Sequence, residues 1–380
     1  MYDVTIIGAG AMGSAAAYYT AKTGKKVLLL EQFKFLHRDG SSHGNSRIIR
    51  KSYVEDYFIN LMHHAYELWD QVQDEAGQRV IVRTGGLDFG PSKDDYYRRT
   101  LLAAQKTKLP HEELDAEGIR LKFPMLKVGE NFVGIYQEEA GIIDATRAVE
   151  MFQTQAKKHG AELKDQTEVV DIEDRGNYVA IRTTNGEFQT KKTIVTAGPW
   201  INNLLEPYNF ALKSKVWQLT YAFFKIQDQE QLFHHSKFPI FIYMDGPIFY
   251  GVGVHEKPGY LKIGPHFTSD MFDKMGEKHQ PSRELISKVS DFVKARFKWV
   301  DPTPVDIDTC LYNMTSDENF IIDFFDPFGQ GSKNIVIGAG FSGHGFKFTP
   351  LIGRILSDLA IDEYTNYDIS KFTIKQNLAK

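Results

Sequence analysis

Cysteine is almost missing from this chain of 380 residues: Cys310 is the single one. One thiol cannot close an internal disulfide, so no disulfide framework holds the fold, and a reducing, cytoplasmic setting is the simple expectation. Apolar runs are short as well. None approaches the roughly 18 residues of a membrane-spanning helix, and the N-terminus "MYDVTIIGAGAMG" has no basic start and runs directly into glycines, unlike a signal peptide. An excess of charge is also missing. The formal net charge is −4, which gives no argument for nucleic acid or an anionic membrane as partner. Low-complexity tracts and an evident linker are lacking too. With 42% apolar and 25% charged residues the composition is that of a globular protein, and the length suggests two domains or one large domain carrying a second module.

What is present begins at residue 3. "DVTII" reads as a short buried strand. Gly8, Gly10 and Gly13 follow as G-A-G-A-M-G, then a small-residue helical stretch "SAAAYYTAKTG" stopping at Gly24, then the strand "KVLLLE" closing on Glu31, 23 residues after Gly8. The first glycines let the backbone approach a pyrophosphate at a helix N-terminus, the third lets helix and strand pack closely, and the carboxylate accepts hydrogen bonds from ribose hydroxyls. A dinucleotide site is expected here. After Glu31 the chain enters the polar segment "RDGSSHGNSRIIRKSY", which fits the extended shape of a flavin better than a simple continuation of strand and helix.

Further along, "ATRAVEMFQTQAKKHGAEL" reads as a helix. "TEVVDIED", "YVAIRTTNGEFQT" and "KKTIVTAGPW" read as strands, with a hairpin turn at Asn185-Gly186 and a possible nucleotide approach at Gly198. Aromatic, strand-like segments between Val216 and Lys262 suggest a sheet of a second domain, and "SRELISKVSDFVKARF" an amphipathic helix beside it. "KNIVIGAGFSGHGFKFTPLIGRILSDLA" is again strand, glycine-rich loop and helix; its helix N-terminus suits negative charge on a flavin ring, and Gly343 and Gly345 lie in the loop. The domains are therefore expected to interleave.

Four stretches, "GAGAMG" with Glu31, "GSSHGNSRIIR", "CLYNMTSDENFIID" and "GAGFSGHGFKF", together resemble the monomeric sarcosine oxidase and N-methyltryptophan oxidase family of flavoproteins, in the same order over nearly the whole chain. The resemblance implies an α/β fold: a glutathione-reductase-like FAD-binding Rossmann domain (1–84, 145–211 and 308–380) interleaved with a sheet-rich α+β substrate domain (85–144 and 212–307). It implies a monomeric enzyme oxidising small N-methyl amino acids with oxygen, giving an imine and hydrogen peroxide, with no metal. On composition alone Cys310 is a small buried hydrophobe; the resemblance makes it the attachment point of covalent FAD through an 8α-S-cysteinyl bond.

The resemblance also distributes cations about the flavin. An extended "SRIIR" would point Arg47 and Arg50 to opposite faces. By resemblance, Arg50 and Lys347 bind the substrate carboxylate on one face, Arg47 lies with His43 near Lys262 on the other, and Lys262 meets oxygen. His266 faces the substrate amine, and Tyr250 and Tyr312 line the pocket. Departures from the family pattern are Ser42 in place of a histidine, Asn45 for an aspartate, Lys51 for a histidine, and Val54 and Asp56 for glycines; the segment between Tyr250 and Lys262 is one residue longer than the pattern. These leave the oxidase reading standing and leave open which amine is used. Separate alternatives are a cyclic or longer N-alkyl amino acid as substrate, an acceptor other than oxygen, and a protein that holds a flavin without turnover.

Overall fold

The structure, a computed structural model, describes residues 1–374 apart from Phe328 and Gln330. The expected last segment, 308–380, therefore extends beyond the described residues at its C-terminal end.

The run "DVTII" lies in the strand Tyr2–Ile7, the centre of an eight-stranded sheet. On one side it pairs in parallel with Val27–Leu30, which pairs in parallel with Glu162–Lys164. On the other it pairs in parallel with the end of Gly186–Val195, beside which Ile335–Ala339 also lies parallel. Parallel strands buried on both faces are uniformly apolar, as the VLLL and IVIGA segments are. The two segments expected as separate strands across Gln189–Lys191 form one ten-residue strand. Its first half is the second arm of a hairpin with Val179–Thr183, and its second half joins the parallel sheet.

The helix Ala11–Lys22 covers this sheet. Its residues from Ala11 to Ala21 are all buried, so it is apolar around its circumference rather than on one stripe, and small side chains let neighbours come close. A Cβ on Gly353 of the helix Thr349–Asp362 would lie 2.4 Å from the Ala15 Cβ, so that crossing requires glycine.

The aromatic segments build a nine-stranded sheet whose core includes Phe89, Phe224, Phe241, Phe249 and Phe292, the last from the helix Arg283–Arg296. Its longest pair is Ser214–Ile226 against Val300–Thr315, antiparallel, with Leu219 opposite Cys310. Tyr260–Pro265 lies on the other edge of Ser214–Ile226, with Lys262 opposite Phe223. In a small three-stranded sheet, Gly141–Ile143 lies antiparallel between Arg47–Ile49 and Ile81–Arg83. Among the described residues no helix is long and apolar enough to cross a membrane.

Candidate functional site

A cavity of about 640 Å³ connects the two sheets. It runs from Gly8, Gly10 and Glu31 at the first strand's end to Lys262, His266, Cys310 and Lys347. The glycine turn shapes one end. Gly8 has φ +95°, and a Cβ there would meet the Thr196 carbonyl oxygen at 2.4 Å; a Cβ on Gly13 would lie 1.9 Å from the Gly8 carbonyl oxygen. Only glycine lets the loop, the helix and the next parallel strand meet at this point. The buried Glu31 carboxylate accepts from the backbone N–H groups of Ala9 (2.9 Å) and Phe33 (3.0 Å), which ties the acid to the loop it serves. Ser42, at a departure from the family pattern, accepts from Ala11 N–H at 3.0 Å and lines the cavity. Gly198, with φ +53°, lines it too, next to Trp200, whose ring packs on Phe33 at 5.4 Å; Phe33 in turn packs on His37. Sequence reasoning passed over His37, Thr196 and Trp200.

Strand periodicity arranges the middle of the site. In Tyr260–Pro265, Leu261 and Ile263 enter the apolar core, so Lys262 and, just past the strand, His266 face the cavity. In Val300–Thr315 the same alternation puts Cys310 and Tyr312 on one face. Cys310 is buried, and burial pushes its thiol up while Arg47 and Lys262 pull it down. Tyr250 and Tyr312 meet at 3.5 Å between hydroxyls, and burial holds both phenols protonated.

The cations fall into two groups. Arg47 donates to the carbonyls of Ser41 (2.9 Å), His43 (2.6 Å) and Ser46 (2.8 Å) and lies 5.6 Å from the Phe346 ring. His43 is buried with its ring nitrogens near the carbonyls of Gly40 (2.8 Å) and Thr309 (3.2 Å); burial and then Arg47 lower its pKa to about 4. Lys262 is buried on this side, its Nζ 4.3 Å over the Tyr221 ring. In the second group, Arg50 is buried and donates to Ser52 Oγ at 2.6 Å and to the Ser52 carbonyl, with Asp88 Oδ2 at 3.3 Å and Tyr96 hydroxyl at 3.4 Å. Lys347 Nζ donates to Tyr53 hydroxyl (3.0 Å) and the His344 carbonyl (2.8 Å). Burial and then Arg50 push the Lys347 pKa well below the usual lysine range. His266 is lowered to about 4 by lost hydration and then by Lys347 and Arg50, so its imidazole is neutral at pH 7.

The loop "GFSGHGFKF" closes this side. Gly343 has φ +70°, and a Cβ there would meet the Tyr312 ring at 2.4 Å; a Cβ on Gly345 would meet Phe341 Cβ at 2.5 Å. Thus the structure brings the sixteen site residues of the sequence reading to one region. All but Gly13, which packs beneath the loop, line the cavity. Asp88, Tyr53, Tyr96 and Glu256 were missed. For Asp88 a signal existed, an acid inside "GLDFG" with both neighbours in the core.

A positive-φ glycine turn that no Cβ would fit, a buried acid at the second strand's end and a long cavity beyond them suit FAD. A nucleotide-binding α/β fold of this kind with a cation-lined cavity is that of a flavin oxidoreductase. The chain belongs to the FAD dependent oxidoreductase family, whose model matches residues 3–359. It is 39% identical to a probable sarcosine oxidase of Arabidopsis thaliana, over 95% of this chain and 88% of that one. It is 33% identical to the peroxisomal sarcosine oxidase of Homo sapiens, over 99% and 96%. Among solved structures it superimposes on NikD, an unusual amino acid oxidase essential for nikkomycin biosynthesis, with a TM-score of 0.88 and 27% identity, covering 98% of this chain and 97% of that one.

Proposed function

We propose that this protein oxidises the secondary amine of an N-methyl amino acid, with oxygen as acceptor, and carries its FAD covalently on Cys310. The observation that carries the reading is the division of four cations into two groups within one cavity, with the lone cysteine on a cavity-facing strand position beside one of them. The sarcosine oxidase names of the relatives support the choice of amine.

The residues have these parts. Gly8, Gly10 and the N-terminus of Ala11–Lys22 hold the pyrophosphate, Gly13 seats that helix, and Glu31 holds a ribose. Gly198, Gly343 and Gly345 shape the walls. FAD held there would supply a two-electron acceptor that oxygen reoxidises to give hydrogen peroxide. Arg50 and Lys347 fix the substrate carboxylate, a planar fork plus a point charge. The amine must be neutral to react, and burial in the cavity disfavours its ammonium form. His266, itself neutral, faces that amine and accepts a hydrogen bond from it at a ring nitrogen. Tyr250 and Tyr312 exclude water. On the other side Lys262, with Arg47 and His43, places fixed positive charge where oxygen gains negative charge.

The departures from the family pattern bear on which amine is used. Lys51 and Asp56 are engaged in ion pairs with Glu139 and Lys106, whereas Val54 lines the cavity. A side chain where glycine is common reshapes the substrate end, so cyclic and longer N-alkyl amino acids form the second class to screen. The test has two parts. Intact-mass measurement of the denatured protein should show the chain plus one flavin; a bare chain with all flavin released by acid refutes the covalent bond. A peroxide screen of N-methyl, N-alkyl and cyclic amino acids should give turnover. Flavin that no amine bleaches under anaerobic conditions refutes the enzyme reading.

A further inference from the structure

The segment that is one residue too long for the family pattern brings an acid into the site. Glu256 lies between the strands Phe249–Val252 and Tyr260–Pro265. Its Oε1 is 2.7 Å from Lys262 Nζ and also accepts from Ser46 Oγ, while Lys262 Nζ donates to Ser46 Oγ at 3.2 Å. The two charged side chains are 7% (Lys262) and 11% (Glu256) exposed. Two of the three ammonium donors are thus taken, leaving a third for a group in the cavity.

The surroundings make this acid necessary. Lys262 faces Arg47 from one strand and Cys310 from another, and sits over Tyr221, whose hydroxyl donates to Asp308 at 3.1 Å. Arg47 repels an ammonium, Cys310 is uncharged as a buried thiol or as the thioether proposed above, and Asp308 is engaged with Arg38. Burial alone drives a lysine towards its neutral form, by several units in the extreme. Here burial acts downward, Glu256 upward and Arg47 downward again, and the balance lies below the usual lysine range, so the retained charge depends on Glu256. A neutral amine would not stabilise negative charge forming on oxygen.

We propose that Glu256 is the positioning residue of Lys262: together with Ser46 it fixes the ammonium beside Arg47 and Cys310 and keeps it charged inside the closed site. This rests on the reading of Lys262 as the group that meets oxygen.

The test uses holoenzyme grown with ε-¹³C lysine, in wild type, Glu256→Gln, Ser46→Ala and Lys262→Met. The Lys262 signal is the one lost in Lys262→Met. In Glu256→Gln its titration midpoint should fall by about one unit or more. Stopped-flow reoxidation by oxygen should fall with rising pH from a lower pH in Glu256→Gln than in wild type. Reduction by substrate should keep its own profile. Ser46→Ala should shift the midpoint the same way by less, and it decides the matter if Glu256→Gln does not fold. An unshifted Lys262 midpoint, or an unchanged pH profile of reoxidation, overturns the proposal. If Lys262→Met reoxidises at the wild-type rate, the oxygen role of Lys262 falls, while the midpoint still decides whether Glu256 holds its charge.

Discussion

Replacing Asp88 with asparagine should weaken the protein and tighten its grip on a carboxylate. Asp88 lies in the strand Gly86–Pro91 between two core residues, its side chain 2% exposed. Its Oδ2 serves Ser52 and Arg50; its Oδ1 has no hydrogen-bond partner among the described residues. Burial pushes the Asp88 carboxyl up, and Arg50 and Ser52 offset only part of that, so it stays above the usual carboxylate range. In Asp88→Asn the Ser52 contact can persist, but the Arg50 charge is left uncompensated. Losing one partner of a buried pair costs about 3–5 kcal/mol. The lower end is expected, because Ser52 and Tyr96 still accept from the guanidinium. A carboxylate bound on the far side of the guanidinium is taken as about 7 Å from Asp88, one contact of roughly 3 Å on each side of the planar group. At an effective dielectric constant of about 20, the repulsion between the two anions is roughly 2 kcal/mol. Removing it should tighten binding roughly 30-fold. A carboxylate at about 100 times its dissociation constant would then return about 2.7 kcal/mol of stability. Urea unfolding with and without acetate measures the first effect. Titration of the flavin spectrum with acetate, and with acetamide as the neutral control, measures the second. Weaker or unchanged acetate binding by a folded Asp88→Asn protein would show that Asp88 orients Arg50 rather than competing for its charge.

Two further outcomes test the site and the fold. Arg50→Ala and Lys347→Ala should each lower kcat/KM for an N-methyl amino acid by about 10- to 100-fold, from one charge-assisted contact of roughly 1.5–3 kcal/mol, with KM moving more than kcat. The amide of the same substrate should be poor in wild type; equal turnover of acid and amide would refute the carboxylate clamp. Glu75, at the end of the helix Asp56–Ala76, offers a stability test. Burial there raises the carboxyl, but hydrogen bonds from Lys22, His159 and Tyr18 outweigh it and hold the pKa at about 2. A depressed acid stabilises the folded state above its unfolded pKa and loses that contribution as pH falls through the folded value. Glu75→Gln should therefore lower Tm at neutral pH and flatten its decline between about pH 4.5 and 2; an unchanged acid limb would refute the assignment.

The legible parts of this protein were those whose chemistry is local in sequence. The strand, glycine turn, helix, strand and acid all lie within residues 3–31, and their spacing states the geometry directly. Gly343 and Gly345 could be read for the same reason. The helix Asp56–Ala76 was legible but passed over. Its apolar positions from Phe58 to Val72 follow a helical period and it ends on Gly77 with φ +64°. The strand Val300–Thr315 was harder. Its first half carries two prolines and two aspartates, and it is a strand because Ser214–Ile226 pairs with it over nearly its whole length. That pairing is a tertiary fact, and no local pattern contains it.

The acids of the site show the same limit with a consequence for function. The four cations adjoin recognisable motifs, but Asp88 comes from a strand of the other sheet and Glu256 from a loop between two of its strands. The local sequence marks Asp88 as a buried acid and puts Glu256 six residues before Lys262, but that they reach Arg50 and Lys262 is decided by topology. Once placed, they set the charge available to a ligand. Arg47 and Lys262 against Glu256 leave one positive charge on one side of the cavity, which suits oxygen after it gains one electron. Arg50 against Asp88 leaves none on the other, and Lys347 is driven towards its neutral form by burial and Arg50. A carboxylate arriving there supplies the charge that lets Lys347 take a proton, and a zwitterionic amino acid brings that proton on its own nitrogen. The side that needs a neutral amine is thus the side holding a buried lysine able to keep the proton the amine gives up, so substrate should bind with little net proton exchange with solvent. Calorimetric titration in buffers of different ionisation enthalpy reads this directly. A full proton released to buffer at neutral pH would show that Lys347 is already charged before the carboxylate arrives.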